Sequence, residues 1–182
     1  SNNALLVDKL WYEFPVGNQF KVWAGPRIEG YYMLASAPSI YKPVMKSFAL
    51  GGNGAVYGSS TSPGFGAAWI QETDSPSDFR WAISSNYHSR AGDAATTGIL
   101  TDEADGKWLT KVEYGSPRMQ VSLAYARHHC DNPGAAQACY DWGAYNSSAE
   151  ADDISGNSDG IGLRAYWKPQ ETGIMPSIQF GL

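Results

Sequence analysis

The stretch KVEYGSPRMQVSLAYA (111–126) decides how the chain is read. In its second half Met119, Val121, Leu123 and Tyr125 fall on one side of an extended strand, and Gln120, Ser122 and Ala124 on the other. That is the period-2 alternation of a sheet with two unlike faces. The Gly115–Arg118 step between its halves is short and carries Gly, Ser and Pro, so it turns one strand directly into the next. Working outward, segments of the same kind are found at Leu5–Phe14, Gln19–Ile28, Phe65–Gln71, Phe79–Tyr87, Trp108–Tyr114, Met119–Ala126, Gly160–Trp167 and Ser177–Phe180. The expected fold is therefore all-β, with about eight antiparallel strands.

The connections sort by length. Pro15–Asn18, Glu72–Asp78, Gly115–Arg118 and Lys168–Pro176 are short, whereas Glu29–Gly64, His88–Lys107 and Arg127–Asp159 are long, and the two kinds alternate. An up-and-down sheet with tight turns at one end and long loops at the other is the build of a transmembrane β-barrel of the bacterial outer membrane. Composition agrees with that reading. Of 182 residues 43% are hydrophobic and 13% aromatic, too apolar for disorder. Charged residues make up 17%, below the roughly 25% of soluble domains. A net charge of -5 with no basic stripe argues against a nucleic-acid partner. No apolar run approaches the ~20 residues of a spanning helix. No signal peptide pattern opens the chain, so its start is read as following processing or lying inside a longer protein.

The two faces differ in character. One carries Leu10, Tyr12, Phe14, Phe20, Val22, Trp81, Ile83, Val121, Leu123, Leu163 and Trp167, with aromatics near the segment ends, as in an interfacial girdle. The other carries Lys9, Trp11, Glu13, Lys21, Trp23, Arg27, Arg80, Lys111, Glu113, Arg118, Arg164 and Tyr166, the candidate lining of a lumen. With Lys168 added, bases outnumber acids on this face, which points to a preference for anions.

The wording of DKLWYEFPVGNQFKVWAGPRIEGYYML (8–34), SFALGGNGAVYGSSTSPGFGAAW (47–69), KVEYGSPRMQVSLAYA (111–126) and the run from GIGLRAYWKP (160–169) to GIMPSIQFG (173–181) resembles cyanobacterial outer-membrane porins of the carbohydrate-selective and iron-uptake group. The resemblance implies a trimeric barrel of about 16 strands through which inorganic ions and small hydrophilic solutes diffuse passively. It implies outer-membrane lipid as surroundings and a cell-wall contact made by an N-terminal surface-layer-homology domain that this chain lacks. The chain resembles the central portion, about half, of such a barrel. A sugar-selective channel of the same fold, with Trp11, Trp23 and Tyr166 stacking on sugar rings, is the alternative. A soluble β-sandwich sugar-binding domain is the alternative of another class.

The remaining motifs are weighed on their chemistry. Cys130 and Cys139 share a long loop and are read as a stapling disulfide in an oxidising compartment. No CxxC pair accompanies His128 and His129, so no metal site is expected. The oxygen-rich run Asp153 to Asp159 lacks the closing Glu of a calcium loop and is read as solvated surface. Glycines 51, 52, 54 and 58 are followed by no GK[ST], so no nucleotide cofactor is expected. The long Glu29–Gly64 connection is expected to fold inward and narrow the channel, with Tyr31, Tyr32, Tyr41, Lys42 and Lys46 as candidate constriction residues. No nucleophile elbow, HExxH or ordered Ser, His and Asp set appears, and no enzyme is expected.

Overall fold

A computed structural model describes residues 7–41, 49–59, 61–90, 92–96, 98–101, 104–130, 156–170 and 176–182. They form one antiparallel eight-stranded sheet whose strands lie side by side in chain order. The strands are β1 (Leu10–Val16), β2 (Phe20–Ile28), β3 (Ser62–Ile70), β4 (Arg80–Ser89), β5 (Gly106–Gly115), β6 (Met119–Cys130), β7 (Gly156–Trp167) and β8 (Ile178–Gly181). The described residues include a 3-10 turn at Gly30–Tyr32 and a single α-helical turn, α1, at Gly54–Tyr57. β1 pairs only with β2 and β8 only with β7, so the described sheet is not closed into a barrel. Tight links at 17–19 and 116–118 lie at one end, and the long connections 29–61 and 90–105 at the other.

The strands stand where the alternation places them, with shifted ends. β1 runs on through Pro15, tolerated because β1 is paired along one edge only. β2 breaks its pairing with β3 between Gly25 and Ile28, around Pro26, which has no N–H to give a ladder. The extra residue changes the parity beyond it. Ile28 takes the buried side, while Arg27 falls opposite exposed Leu10 and donates from Nε to the Asp8 carbonyl at 3.0 Å. Strict alternation from Lys21 and Trp23 placed Arg27 with the lumen candidates; the bulge moves it to the other side of the sheet.

The two sheet faces are inverted relative to those of a water-soluble domain. Tyr12 is 73% exposed, Ile161 72% and Leu123 55%, whereas Lys111 is 0% and Arg164 3% exposed. What buries the polar face is the connection between β2 and β3. It leaves β2 at Glu29 and crosses the sheet, touching β4, β5, β6, β7 and β8 in turn, before returning to β3. Small residues make room for it. A Cβ on Gly181 would stand 2.0 Å from the Gly51 carbonyl oxygen, and one on Gly160 3.2 Å from the Val56 side chain. Two apolar clusters fix the crossing. Leu34, Leu50, Val56 and Tyr57 pack on Leu109, Ala124 and Ala126 of β5 and β6. Met33 packs with Trp23, Ile28 and Ala68 of β2 and β3. At roughly 1.5–3 kcal/mol for each fully buried side chain of this size, Leu50, Val56 and Met33 offset part of the entropy lost in ordering the segment.

Candidate functional site on the covered face

The register arranges the polar face in cross-strand rows. Nearest the tight turns, Arg80, Gly115, Gln120 and Tyr166 stand in line across β4 to β7. The next row is Ala82, Glu113, Ser122 and Arg164, and the one beyond it Ser84, Lys111, Ala124 and Gly162. Toward the long connections His88, Lys107 and His128 form a further row. Charged and small residues thus interleave, and the crossing segment lies over the small ones.

Most of the charges are already committed. Lys111 Nζ lies 2.5 Å from Glu113 Oε2, with both side chains almost wholly buried. It also donates to the Ser36 carbonyl at 2.9 Å and to Ser36 Oγ at 2.8 Å, and Ser36 Oγ donates to Glu113 at 2.8 Å. Arg164 donates from Nη1 to the Ala37 carbonyl at 2.6 Å. Lys107 donates to the Gly58 carbonyl at 2.5 Å, and His128 Nε2 lies 3.0 Å from the Ala55 carbonyl, so α1 ends against donors. Near the β1 edge Glu13 accepts from Trp23 Nε1 at 2.7 Å and pairs with Lys21 at 2.8 Å.

The candidates of the sequence reading separate into groups. Trp11 stacks on Tyr32 with ring centroids 5.4 Å apart, and Tyr31 lies against Tyr32 at 4.6 Å. Lys9 donates to the Tyr32 hydroxyl at 3.0 Å; that bond and nearby Glu29 hold its ammonium above the usual lysine range against the opposing effect of burial. Tyr41 donates to the Ser177 carbonyl at 2.6 Å, tying the segment to the approach to β8. Tyr166 donates to the Ser116 carbonyl at 3.2 Å, and Lys168 lies over its ring. Arg118 sits in the β5–β6 turn and reaches Gln170 at 3.4 Å. Trp23 is 1% exposed, which closes it to a stacking sugar. Lys42, Lys46, Cys139 and the side chain of Cys130 lie outside the described residues, and so does the expected disulfide.

Ser36, Asn53, Asn86 and Lys107 complete the site and were absent from the sequence reading. Asn53 caps α1 at Val56 N (2.9 Å) and donates to the Leu182 carbonyl at 2.9 Å, while Asn86 donates to the Met33 carbonyl at 3.2 Å. Lys107 was open to discovery, because parity counted back from Lys111 puts it on the same face. Nothing local marks Ser36, whose partner Glu113 lies far away in sequence, and Asn53 is marked locally only as a helix cap.

Between the crossing segment and the tight turns a cavity of about 170 Å³ remains, lined by Ser36, Arg80, Glu113, Gln120, Ser116 and Tyr166 among others. Tyr57, on α1, closes the other side of the segment. Burial pushes its phenol up to about 12, against about 10 for a phenol in the unfolded chain. Its contribution to stability is therefore intact below about pH 10 and is lost as pH rises through about 12. Tyr57→Phe should flatten the alkaline limb of a stability–pH curve, and an unchanged limb in an unfolding titration would refute this.

Among the described residues no group of His, Cys, Asp and Glu side chains is placed to hold a metal, and no helix is long and apolar enough to cross a membrane. The class that can be stated is an up-and-down antiparallel sheet with one polar face covered by its own β2–β3 connection. Family models, curated proteins and solved structures gave no match to the chain.

Proposed function

We propose that the chain forms part of the wall of an outer-membrane porin, with residues 29–41 and 49–59 folded inside as part of the constriction through which inorganic ions and small hydrophilic solutes diffuse. The observation that carries this reading is the inversion of the faces: a broad exposed apolar surface backed by buried Lys, Arg and Glu. Water-soluble monomers rarely expose contiguous apolar surface on this scale. Lipid on one side and water on the other require it. Strand lengths suit the role, since β4 and β5 have 10 residues each, against the roughly 9–11 of a spanning strand. Aromatic pairs bracket the apolar band. Trp81 meets Tyr114 at 4.7 Å toward the tight turns, Tyr87 meets Trp108 at 6.0 Å toward the long connections, and Ile83 and Val112 lie between.

The open edges of β1 and β8 suit a wall segment that further strands complete. The resemblance to cyanobacterial porins adds a homotrimer and a cell-wall contact made by another domain. Passive passage is favoured over sugar selection because Trp23 is buried and Trp11 is stacked on Tyr32. The sandwich reading requires a second sheet, and the described residues form one.

The test is extraction and conductance of the full-length protein that contains this chain. It should partition with outer membranes, require detergent, migrate differently when boiled, and open ohmic steps in planar bilayers. A detergent-free monomer without conductance would refute the reading.

A further inference from the structure

We infer that Arg80 is the ion-selecting group of this channel and that its guanidinium is a docking point for small anions. The inference rests on the channel reading and adds what the constriction prefers and through which residue.

The covered face is rich in bases, yet nearly all are spent on the protein itself. Lys111 is held by Glu113 and Ser36, Arg164 by the Ala37 carbonyl, Lys107 by the carbonyls at the end of α1, and Lys21 by Glu13. Arg80 differs. It lines the 170 Å³ cavity and has neither a hydrogen bond nor an ion pair among the described residues. The acid sharing that cavity, Glu113, is neutralised by Lys111 at 2.5 Å and accepts from Ser36 as well. Among the described residues the uncompensated charge of the cavity is therefore that of Arg80.

The surroundings suit a transient ligand. Gly115, opposite Arg80 in the ladder, carries no side chain, and Gln120 and Tyr166 continue the same row with polar side chains. A guanidinium is weakly hydrated and presents a planar fork of donors, so it takes up a halide or small carboxylate without a large dehydration cost. A conducting site must attract its ion without retaining it, and one uncompensated charge beside water meets that condition. The neighbouring small side chains of the turn end, Ala35 and Ser116, leave room for the anion with part of its water shell.

The experiment uses the full-length protein and two readouts. Crystals grown in sodium bromide should show an anomalous peak at the Arg80 guanidinium, absent in Arg80→Gln. Reversal potentials under a potassium chloride gradient should show the anion-to-cation permeability ratio falling about thirtyfold in Arg80→Gln, since a unit charge at ~4 Å in water attracts the anion and repels the cation by about 1 kcal/mol each. Arg80→Lys, which keeps the charge, should retain most of the ratio, and Arg27→Gln, which changes a charge on the opposite side of the sheet, should leave it unchanged. A conducting protein with no bromide at Arg80 and an unaltered ratio in Arg80→Gln would overturn the inference, as would an equal fall in Arg27→Gln. Bromide bound at Arg80 in a protein that does not conduct would support the anion site and sink the channel reading instead.

Discussion

Lys111→Met should destabilise the folded protein by about 3–5 kcal/mol, the range for stranding one partner of a buried ion pair. The side chains of Lys111 and Glu113 are 0% and 5% exposed and 2.5 Å apart, so removing the ammonium leaves an almost wholly buried carboxylate without its counter-charge. The same substitution deletes both hydrogen bonds to Ser36, which pin the crossing segment to β5. The segment should loosen as stability falls, and conductance noise should rise. Replacing both partners, Lys111→Met with Glu113→Leu, should recover much of the loss, because a pair of apolar side chains of similar size carries no stranded charge. Reversible urea unfolding in lipid vesicles measures both variants. A loss in Lys111→Met below about 1 kcal/mol, the value of an exposed pair, would mean that water reaches the site and that the covering segment is displaced.

Leu123→Arg should cost about 2–4 kcal/mol in the same assay, the cost of an arginine near the bilayer midplane on a lipid-facing strand. Leu123 is 55% exposed and pairs with Leu163 in the middle of the apolar band. Its neighbour Ser122 would be the natural control on the opposite face, but Ser122 is 3% exposed beneath the crossing segment, and an arginine there would meet that segment. Gln120 is the better control. It lines the cavity, and Gln120→Arg should cost about 1 kcal/mol, the worth of the hydrogen bond it shares with Ser36. Equal costs at Leu123 and Gln120 would show that the exposed apolar face does not meet lipid.

The strands and their faces are legible in the chain because both follow from a period of two. Met119, Val121, Leu123 and Tyr125 need no partner to announce their common side, and the observed β6 keeps them there, all exposed. Where the period is locally broken, counting fails. Arg27 was assigned by parity from Lys21 and Trp23, and the bulge around Pro26 reversed it. The candidate site is harder, because its content is not which residues face inward but which of them are already satisfied. Arg80 and Arg164 look alike in sequence. Arg164 is bound to a carbonyl contributed by residue 37, whereas Arg80 opens on a cavity, and only the path of the crossing segment separates them. That path follows from long-range packing of Leu34, Leu50 and Val56 on Leu109 and Ala126, which has no local signature.

The route of the crossing segment also dictates an order of events during folding. Its anchors on the last strands span large sequence separations: 127 residues from Ala37 to Arg164, 139 from Ile40 to Gln179 and 129 from Asn53 to Leu182. Strand pairing between neighbours in the chain closes short loops and comes cheaply, whereas these contacts have nothing to bind until β7 and β8 are in place. The meander must therefore form first with its polar face hydrated and the segment free. The segment then seats in a late step that expels that water. A nascent chain halted before β7 would carry the segment unseated and open to a protease, and completion of β8 would be the moment at which it becomes resistant.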